Sequence, residues 1–195
     1  MVVTVRFTPG RPLWKCRRNV ALWSKKYEAG GLLEELSLQS WVKSSGGKRL
    51  HIVVPLAARE GWETVNGFAQ AVVQHIARIV PQRFVAKSGA ANRVGRIFID
   101  YLRNNHGATT AAAFSARARP GLGVSMPLAW DALDLLKRSD QWNVRTAREH
   151  LSFQTVDPWQ DYWTCRQTLT AGLKTLGLKP AASASPRKPA RSVRA

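Results

Sequence analysis

The chain has 195 residues, 45% of them hydrophobic, and its 30 lysines and arginines against 12 acidic residues give a net charge of +18. This length supports a domain with a real core, and since the sequence contains no apolar run long enough to cross a bilayer, we expect no membrane partner. A strongly positive field attracts polyanions, so nucleic acid is the leading partner, with a basic protein lacking any specific partner as the alternative.

The first fifty residues predict two short strands on either side of a helical region. Residues 1–10 alternate loosely and break at a Pro-Gly pair, as a short strand does. Residues 13–36 predict a charged helical region that is interrupted at residues 30–31. Residues 40–43 predict a second short strand, and SSGG over residues 44–47 indicates a turn.

The middle of the chain alternates strands with a long helix. Residues 50–56 are β-branched and apolar, which predicts a buried strand. The side chains of residues 96–102 alternate in polarity, which predicts another strand. Residues 111–115 predict a further strand. Residues 62–80 predict an amphipathic helix. Its apolar face comprises Val65, Phe68, Ala69, Val72, Val73, Ile76 and Ile79.

The last third predicts shorter helices and a tail. Residues 128–136 and 146–151 read as short helices, and residues 157–176 as one that begins with an Asp-Pro cap. Residues 181–195 consist mainly of Ala, Ser, Pro and basic residues, and this composition favours disorder. The alternation of strands and helices predicts an α/β or α+β domain with a mixed sheet flanked by helices.

The stretch SSGGKRLH, residues 44–51, is a glycine-rich turn that leads into the buried strand. Small residues let backbone N–H groups approach a phosphate, and Lys48 adds a charge while His51 could donate a hydrogen bond. The simpler alternative is a hairpin turn with a solvated lysine and a packed histidine.

The stretch RIFIDYLRN, residues 96–104, places a single carboxylate in an apolar strand. Buried carboxylates are rare unless they are paired or bound to metal. Asp100 is therefore either a metal ligand or the partner of Arg96 or Arg103, and the residues alone favour neither.

Arg117 and Arg119 lie two residues apart, on one face if their segment is extended. Two guanidinium groups on one face suit a triphosphate or a DNA backbone. The alternative is a solvated basic edge, which also discourages aggregation between strands.

In this order and spacing, these stretches resemble the polymerase domain of bacterial DNA ligase D, of the archaeo-eukaryotic primase superfamily. The strings WVKSSGGKRLHIVVPL, FVAKSGAANRVGRIFIDYLRNNHGATTAAAFSARARPGLGVSMPLAW and DPW carry the resemblance. It implies an N-terminally truncated primase-polymerase catalytic core fragment. We therefore expect a degenerate N-terminal remnant over residues 1–35, the polymerase-like domain over residues 36–178 and a disordered basic tail over residues 179–195.

The resemblance also implies roles for individual residues. SSGGKRLH matches the family's second motif, which places Ser45, Lys48 and His51 near the phosphates and sugar of an incoming nucleotide. IFIDYLRN matches the third motif, which makes Asp100 a catalytic carboxylate that binds metal. Three arginines match positions in contact with the triphosphate or near it, namely Arg93, Arg103 and Arg117.

The family's first motif, Asp-x-Asp-Pro on an upstream strand, is missing. In the family its two carboxylates share one face and hold two Mn²⁺ or Mg²⁺ ions together with the third-motif aspartate. The matching place is VRFTPG, where Arg6 and Thr8 occupy the aspartate positions, and no Asp precedes Asp100. Arg6 repels a metal ion, and Arg49 adds bulk and charge where the family usually has Gly.

Two functions follow as expectations. The first is a polymerase domain of bacterial non-homologous end joining that adds nucleotides at DNA ends, impaired because its metal motif is absent. The second is a remnant that binds nucleotide or DNA phosphates without chemistry. DNA ends and nucleoside triphosphates are the expected partners, with Ku and a ligase module as further candidates.

Cys16 and Cys165 lack the spacing of metal ligands, so we expect free thiols, as in a reducing cytoplasm. The expected location is cytoplasmic and nucleoid-associated.

Overall fold

A mixed six-stranded sheet forms the centre of the computed structural model, which describes residues 1–9 and 30–180. The strand order is β4-β5-β1-β3-β2-β6. The neighbours β4 and β5 are parallel, and the other neighbouring pairs are antiparallel. The strands are β1 (Val2–Pro9), β2 (Trp41–Ser44), β3 (Leu50–Pro55), β4 (Phe84–Val85), β5 (Ile97–Asp100) and β6 (Pro127–Leu128).

Helices accompany this sheet, which confirms the predicted mixed sheet flanked by helices. None of the helices in the described residues is long and apolar enough to cross a membrane. In the described part of the chain the α-helices are α1 (Gly30–Glu35), α2 (Trp62–Ile79), α3 (Ala147–Ser152) and α4 (Thr170–Thr175), and 3-10 helices span Ala91–Arg93 and Asp131–Leu135.

The central strand β1 has one apolar and one polar face. Successive side chains of a strand point to opposite faces of the sheet. Val3, Val5 and Phe7 accordingly enter the main hydrophobic core. Arg6 and Thr8 point to the other face, where the polar residues of the neighbouring strands lie. The sheet therefore separates the main hydrophobic core from a face that carries buried polar side chains beside a second, smaller apolar cluster.

Helix α2 covers the apolar face of the sheet. Its side chains Phe68, Val72 and Ile76 are almost completely buried in the main core, and each such side chain contributes roughly 1.5–3 kcal/mol when it leaves water. The predicted helix is confirmed. Ile79 is the exception on its predicted face, because it is the last residue of α2 and is 53% exposed.

Two predicted elements are wrong. Residues 111–115 form no strand; they are loop and turn, with Phe114 at a φ of +60°. Residues 157–176 are not one helix, because turns occupy the first part and only Thr170–Thr175 is helical. The Asp157 carboxylate accepts the Trp159 N–H at 2.8 Å. The cap signal therefore closes a local turn, and Trp159 packs against β2 and β3 in a small core of its own.

Residues 30–31, where the early helical region was predicted to be interrupted, lie at the start of helix α1 as described; because the residues before them lie outside the described part of the chain, the interruption stays a prediction. Gly30 is buried, and a Cβ there would lie 3.2 Å from the Trp130 ring, so close packing explains the glycine. Residues 13–29 of that region and the predicted tail over residues 181–195 lie outside the described residues. The proposed domain boundaries stay predictions.

Candidate functional site

Four polar side chains lie side by side across four neighbouring strands. Asp100 of β5 stands opposite Arg6 of β1, Arg6 stands opposite His51 of β3, and His51 stands opposite Lys43 of β2. Directly opposed residues share a face of the sheet, so this row lies on the face away from α2. All four residues are buried. Charged side chains are rarely buried unless they are paired, so the sheet itself must hold these four residues next to one another.

Arg6 and Asp100 form a buried ion pair at one end of the row, with side chains 8% and 10% exposed. Nη2 of Arg6 donates to Oδ2 of Asp100, and Oδ1 accepts the Leu102 N–H at 3.0 Å. Burial lowers the pKa of Arg6 below its ordinary value, although the charge of Asp100 opposes this. Nε of Arg6 is buried and has no hydrogen-bond partner in the described part of the chain. The guanidinium therefore keeps a donor that the fold does not use.

Lys43 closes the other end of the row. Its Nζ donates to the Ala111 carbonyl at 2.6 Å and to Oγ of Ser125 at 2.9 Å, and it lies 3.2 Å from Nδ1 of His51. Burial, assisted by the charge of Arg117, lowers the pKa of Lys43 from 10.5 to about 8. Lys43 is thus mostly charged at neutral pH and loses its proton in mildly alkaline solution.

His51 is held as a neutral ring between the two cations of the row. Burial, followed by the charges of Lys43 and Arg6, lowers the pKa of His51 far below its ordinary 6.5. The Lys43 ammonium can only donate, so Nδ1 of His51 accepts and the ring proton resides on Nε2. His51 thereby offers a neutral hydrogen-bond donor.

The turn between β2 and β3 is held by its own hydrogen bonds. Oγ of Ser45 accepts the Arg49 N–H at 3.0 Å, and Oγ of Ser139 accepts the Ser45 N–H at 2.9 Å. Gly46 has a φ of +62°, and a Cβ there would lie 2.5 Å from the Gly123 carbonyl oxygen. A tight turn packed against a second segment therefore explains Gly46, while the rest of the turn faces a cavity.

That cavity has a volume of about 750 Å³, within the usual range for small-molecule sites. The β2–β3 turn, the loop that follows β5 and the loop around residues 109–119 form its walls. Among the described residues, six that line it are lysine or arginine and none is acidic, so the cavity is suited to a polyanion. The six are Arg6, Lys48, Arg49, Arg103, Arg117 and Arg119.

The structure brings most of the predicted site residues to this cavity. The predicted residues that line it are Ser45, Lys48, His51, Arg103 and Arg117.

Asp100 and Arg93 are not among the lining residues. Asp100 is paired with Arg6. The Arg93 guanidinium lies 5.6 Å from the centre of the Phe98 ring, and its Nε donates to the Gly89 carbonyl at 3.1 Å. The ligand contacts proposed for all these residues stay predictions.

Sequence reasoning missed several residues of the site. Thr109 and Thr110 line the cavity, and their only sequence signal is a Thr pair just after the third motif. The sequence placed Lys43 in a short predicted strand and indicated no functional role for it. Asn104 is 1% exposed and exchanges hydrogen bonds with the backbone of Thr4 at 2.7 and 3.0 Å. It fixes the loop that carries Arg103, a function that no local pattern indicates.

The donor atoms do not fit the two-metal site that the resemblance implies. Within residues 1–9 and 30–180, no three or more His, Cys, Asp and Glu side chains are grouped so that they could hold a metal ion. Both Asp100 oxygens already accept hydrogen bonds, one from the cationic Arg6. A divalent ion at Asp100 would lie beside that guanidinium and be repelled by it.

Comparison with known proteins identifies a family. A sequence profile described as "LigD, primase-polymerase domain" matches residues 9–159. The multifunctional non-homologous end joining protein LigD of Pseudomonas aeruginosa is 48% identical over 157 residues, which cover 78% of this chain and 19% of the relative. The LigD protein of Mycolicibacterium smegmatis is 32% identical over 107 residues, which cover 55% of this chain and 14% of that relative.

A solved structure is also similar. It is the polymerase domain from Mycobacterium tuberculosis ligase D in complex with DNA, with a TM-score of 0.62 and 25% identity. The match covers 76% of this chain and 52% of that one. The chain thus spans 19% of the length of its Pseudomonas relative and about half of the solved domain.

Proposed function

Because this chain belongs to the LigD primase-polymerase domain family, we propose that it binds nucleotide and DNA phosphates in bacterial non-homologous end joining. We further propose that it transfers nucleotides weakly or not at all. The first half of this proposal rests on the cationic cavity, to which the part of the chain that the structure describes contributes six lysines and arginines and no acid. Phosphates supply most of the affinity of proteins for nucleic acids, so such a cavity suits them.

The proposed catalytic impairment rests on the pairing of Arg6 with Asp100. Nucleotidyl transfer by two metal ions needs carboxylates that hold the ions between the attacking hydroxyl and the departing pyrophosphate. Asp100 is occupied by Arg6, and Thr8, on the same face two residues later, offers only a hydroxyl. Ser45, Lys48, His51 and Arg117 would then bind phosphate without supporting transfer.

A second candidate function is an active polymerase at DNA ends. The observation in its favour is that the second-motif residues Ser45, Lys48 and His51 line the same cavity as Arg103 and Arg117. DNA ends, nucleoside triphosphates, a Ku-type protein and a ligase module are proposed partners under either function.

Primer extension on DNA ends with Mn²⁺ and ribonucleotides tests the impairment. We expect no product from the natural chain at high protein concentration. The double variant Arg6→Asp/Thr8→Asp would place two carboxylates beside Asp100, and we expect Mn²⁺ to bind it and raise its Tm, with the Tm of the parent chain unchanged. Efficient extension by the parent chain would contradict the proposal, whatever the variant does.

DNA binding is tested by a salt titration. Neutralisation of several phosphates releases counterions, so the affinity should fall steeply and log-linearly with salt. We expect Lys48→Gln and Arg117→Gln each to reduce the slope by about one unit, because each removes one phosphate contact. An affinity that does not change as salt rises would contradict phosphate binding.

A further inference from the structure

We propose that the cavity binds the triphosphate group of a nucleotide free of divalent metal, with the Arg6 guanidinium supplying the positive charge at the cavity floor. This inference rests on the proposed phosphate-binding function and deepens it. It differs from the two-metal chemistry that the resemblance implies, in which the triphosphate arrives together with Mg²⁺ or Mn²⁺.

Arg6 is the residue that distinguishes this cavity. It projects from the central strand β1, is 92% buried at its side chain, and still lines the cavity. One of its nitrogens binds Asp100, yet its Nε has no hydrogen-bond partner among residues 1–9 and 30–180. A buried donor without a partner is unfavourable, and the charge of the guanidinium, which lines the cavity, attracts an acceptor oxygen that enters there.

The charge at the floor of the cavity favours a bare anion over a metal complex. A divalent ion would have to approach Arg6 and Arg49, whose like charges oppose it. Both Asp100 oxygens are already engaged, so the carboxylate gains no new contact from a metal. A metal bound to the triphosphate also cancels part of the negative charge that the six cationic lining residues attract. Metal should therefore weaken binding.

The arrangement of the other cations suits a chain of directly linked phosphates. Lys48 and Arg49 extend from the β2–β3 turn, Arg103 from the loop after β5, and Arg117 and Arg119 from a third segment. They converge on one cavity from separate walls. A triphosphate concentrates its charge in such a space, while each DNA phosphate carries one charge and is flanked by two sugars. The cavity therefore favours the triphosphate, and the DNA backbone is the competing occupant.

Isothermal titration calorimetry of the full chain with ATP and with inorganic tripolyphosphate tests the inference, first in EDTA and then with excess Mg²⁺. We expect both ligands to bind in EDTA and Mg²⁺ to weaken binding several-fold. Similar affinities for ATP and tripolyphosphate would assign the recognition to the phosphates, whereas much tighter ATP binding would add base or sugar contacts. Binding that appears or tightens only with Mg²⁺ would overturn the inference and leave the proposed function standing.

Variants locate the interaction. We expect Arg6→Gln to weaken binding in EDTA about tenfold or more, because it removes charge-assisted hydrogen bonds. Arg145→Gln is the matched control: the same charge change at an exposed residue outside the lining, expected to leave binding nearly unchanged. A folded Arg6→Gln protein with parental affinity would overturn the inference.

Arg6→Gln leaves Asp100 without its partner, so circular dichroism and thermal unfolding must accompany it. If that variant does not fold, Arg6→Lys retains the pair charge but lacks the Nε donor, and Arg49→Gly removes a cation from the turn. We expect both to weaken binding in EDTA. Full affinity in both would overturn the inference, as would binding of an oligonucleotide that tripolyphosphate cannot displace. Loss of both DNA and triphosphate binding in the parent chain would overturn the proposed function as well.

Discussion

The two faces of the central sheet bury their residues in different ways. On one face Val5 and Phe7 pack with α2 in an apolar core. On the other face Arg6, a similarly buried residue of the same strand, is paired with Asp100 and keeps a donor for which no described residue is a partner. Burial of the apolar face stabilises the fold in proportion to the area removed from water. Burial of the polar face costs the hydration of its charged groups, which are thereby held in place. The first face maintains the fold, and the second is available to a ligand.

The largest stability loss should come from the apolar face. Phe68 is 1% exposed in the main core. We expect Phe68→Ala to lower the free energy of unfolding by about 3–5 kcal/mol, because it removes a buried ring and leaves a cavity. Urea denaturation measures the loss. Phosphate binding below the melting transition should be unchanged, and a loss under about 1 kcal/mol would contradict this view of the core.

A smaller loss should come from the buried pair, accompanied by a gain in ligand affinity. Asp100→Asn leaves the Arg6 guanidinium without its countercharge, so we expect the free energy of unfolding to fall by about 2–4 kcal/mol. The freed positive charge should tighten triphosphate binding in EDTA. If Asp100 instead served as a metal ligand, the same variant would leave binding in EDTA unchanged and weaken it with Mn²⁺.

The double variant Arg6→Met/Asp100→Leu sharpens this point. It replaces the whole pair by apolar side chains, so most of the stability lost in Asp100→Asn should return. Triphosphate binding should weaken about as much as in Arg6→Gln, since the Arg6 guanidinium is lost while Arg49 and the other cations of the lining remain. Denaturation and calorimetry on the same preparations separate the two effects.

The pH dependence of binding isolates Lys43. Its pKa, lowered by burial to about 8, implies that triphosphate affinity falls as pH rises from 7 to 9 and its charge is lost. The phosphates themselves are fully ionised over most of that window, since their last pKa is near 6. We expect a several-fold decline in the parent chain and a flatter profile in Lys43→Met. Equal slopes would show that Lys43 does not contribute.

The effect of Lys43 on stability has the opposite sign. When folding lowers the pKa of a lysine, the charged form of that lysine destabilises the folded state relative to the unfolded state. The stability that this group contributes is present above its unfolded pKa of 10.5 and is lost as pH falls through about 8. Alkaline pH should therefore stabilise the fold through Lys43 while it weakens the binding of phosphate.

The smallest effect should come from an exposed ion pair of the same chemistry. Arg138 and Asp140 contact each other at 2.9 Å, with side chains 74% and 32% exposed. We expect Arg138→Gln to change the free energy of unfolding by less than about 1 kcal/mol, because solvent screens such pairs. Thermal unfolding in low and high salt measures it. A loss as large as that of Asp100→Asn would mean that burial does not distinguish the two pairs.

The sequence predicted the elements whose signal is local. The period of α2 and the β-branched run of β3 are visible within a few residues, and both elements were confirmed. Strands β4 and β6 have two residues each and were not predicted, because so short a strand has no period to detect. The predicted strand at residues 111–115 was wrong, since its apolar composition serves a loop around the cavity.

The sequence by itself determined the family, the charge and the absence of any aspartate before Asp100, because these depend only on residue identity and order. It left open whether Asp100 meets a metal ion, Arg96 or Arg103. The tertiary structure decided that the partner is Arg6, 94 residues away. The antiparallel register of β1 and β5 brings these two side chains together, and that register depends on how the whole sheet buries its apolar face. Local sequence carries no record of such a pairing.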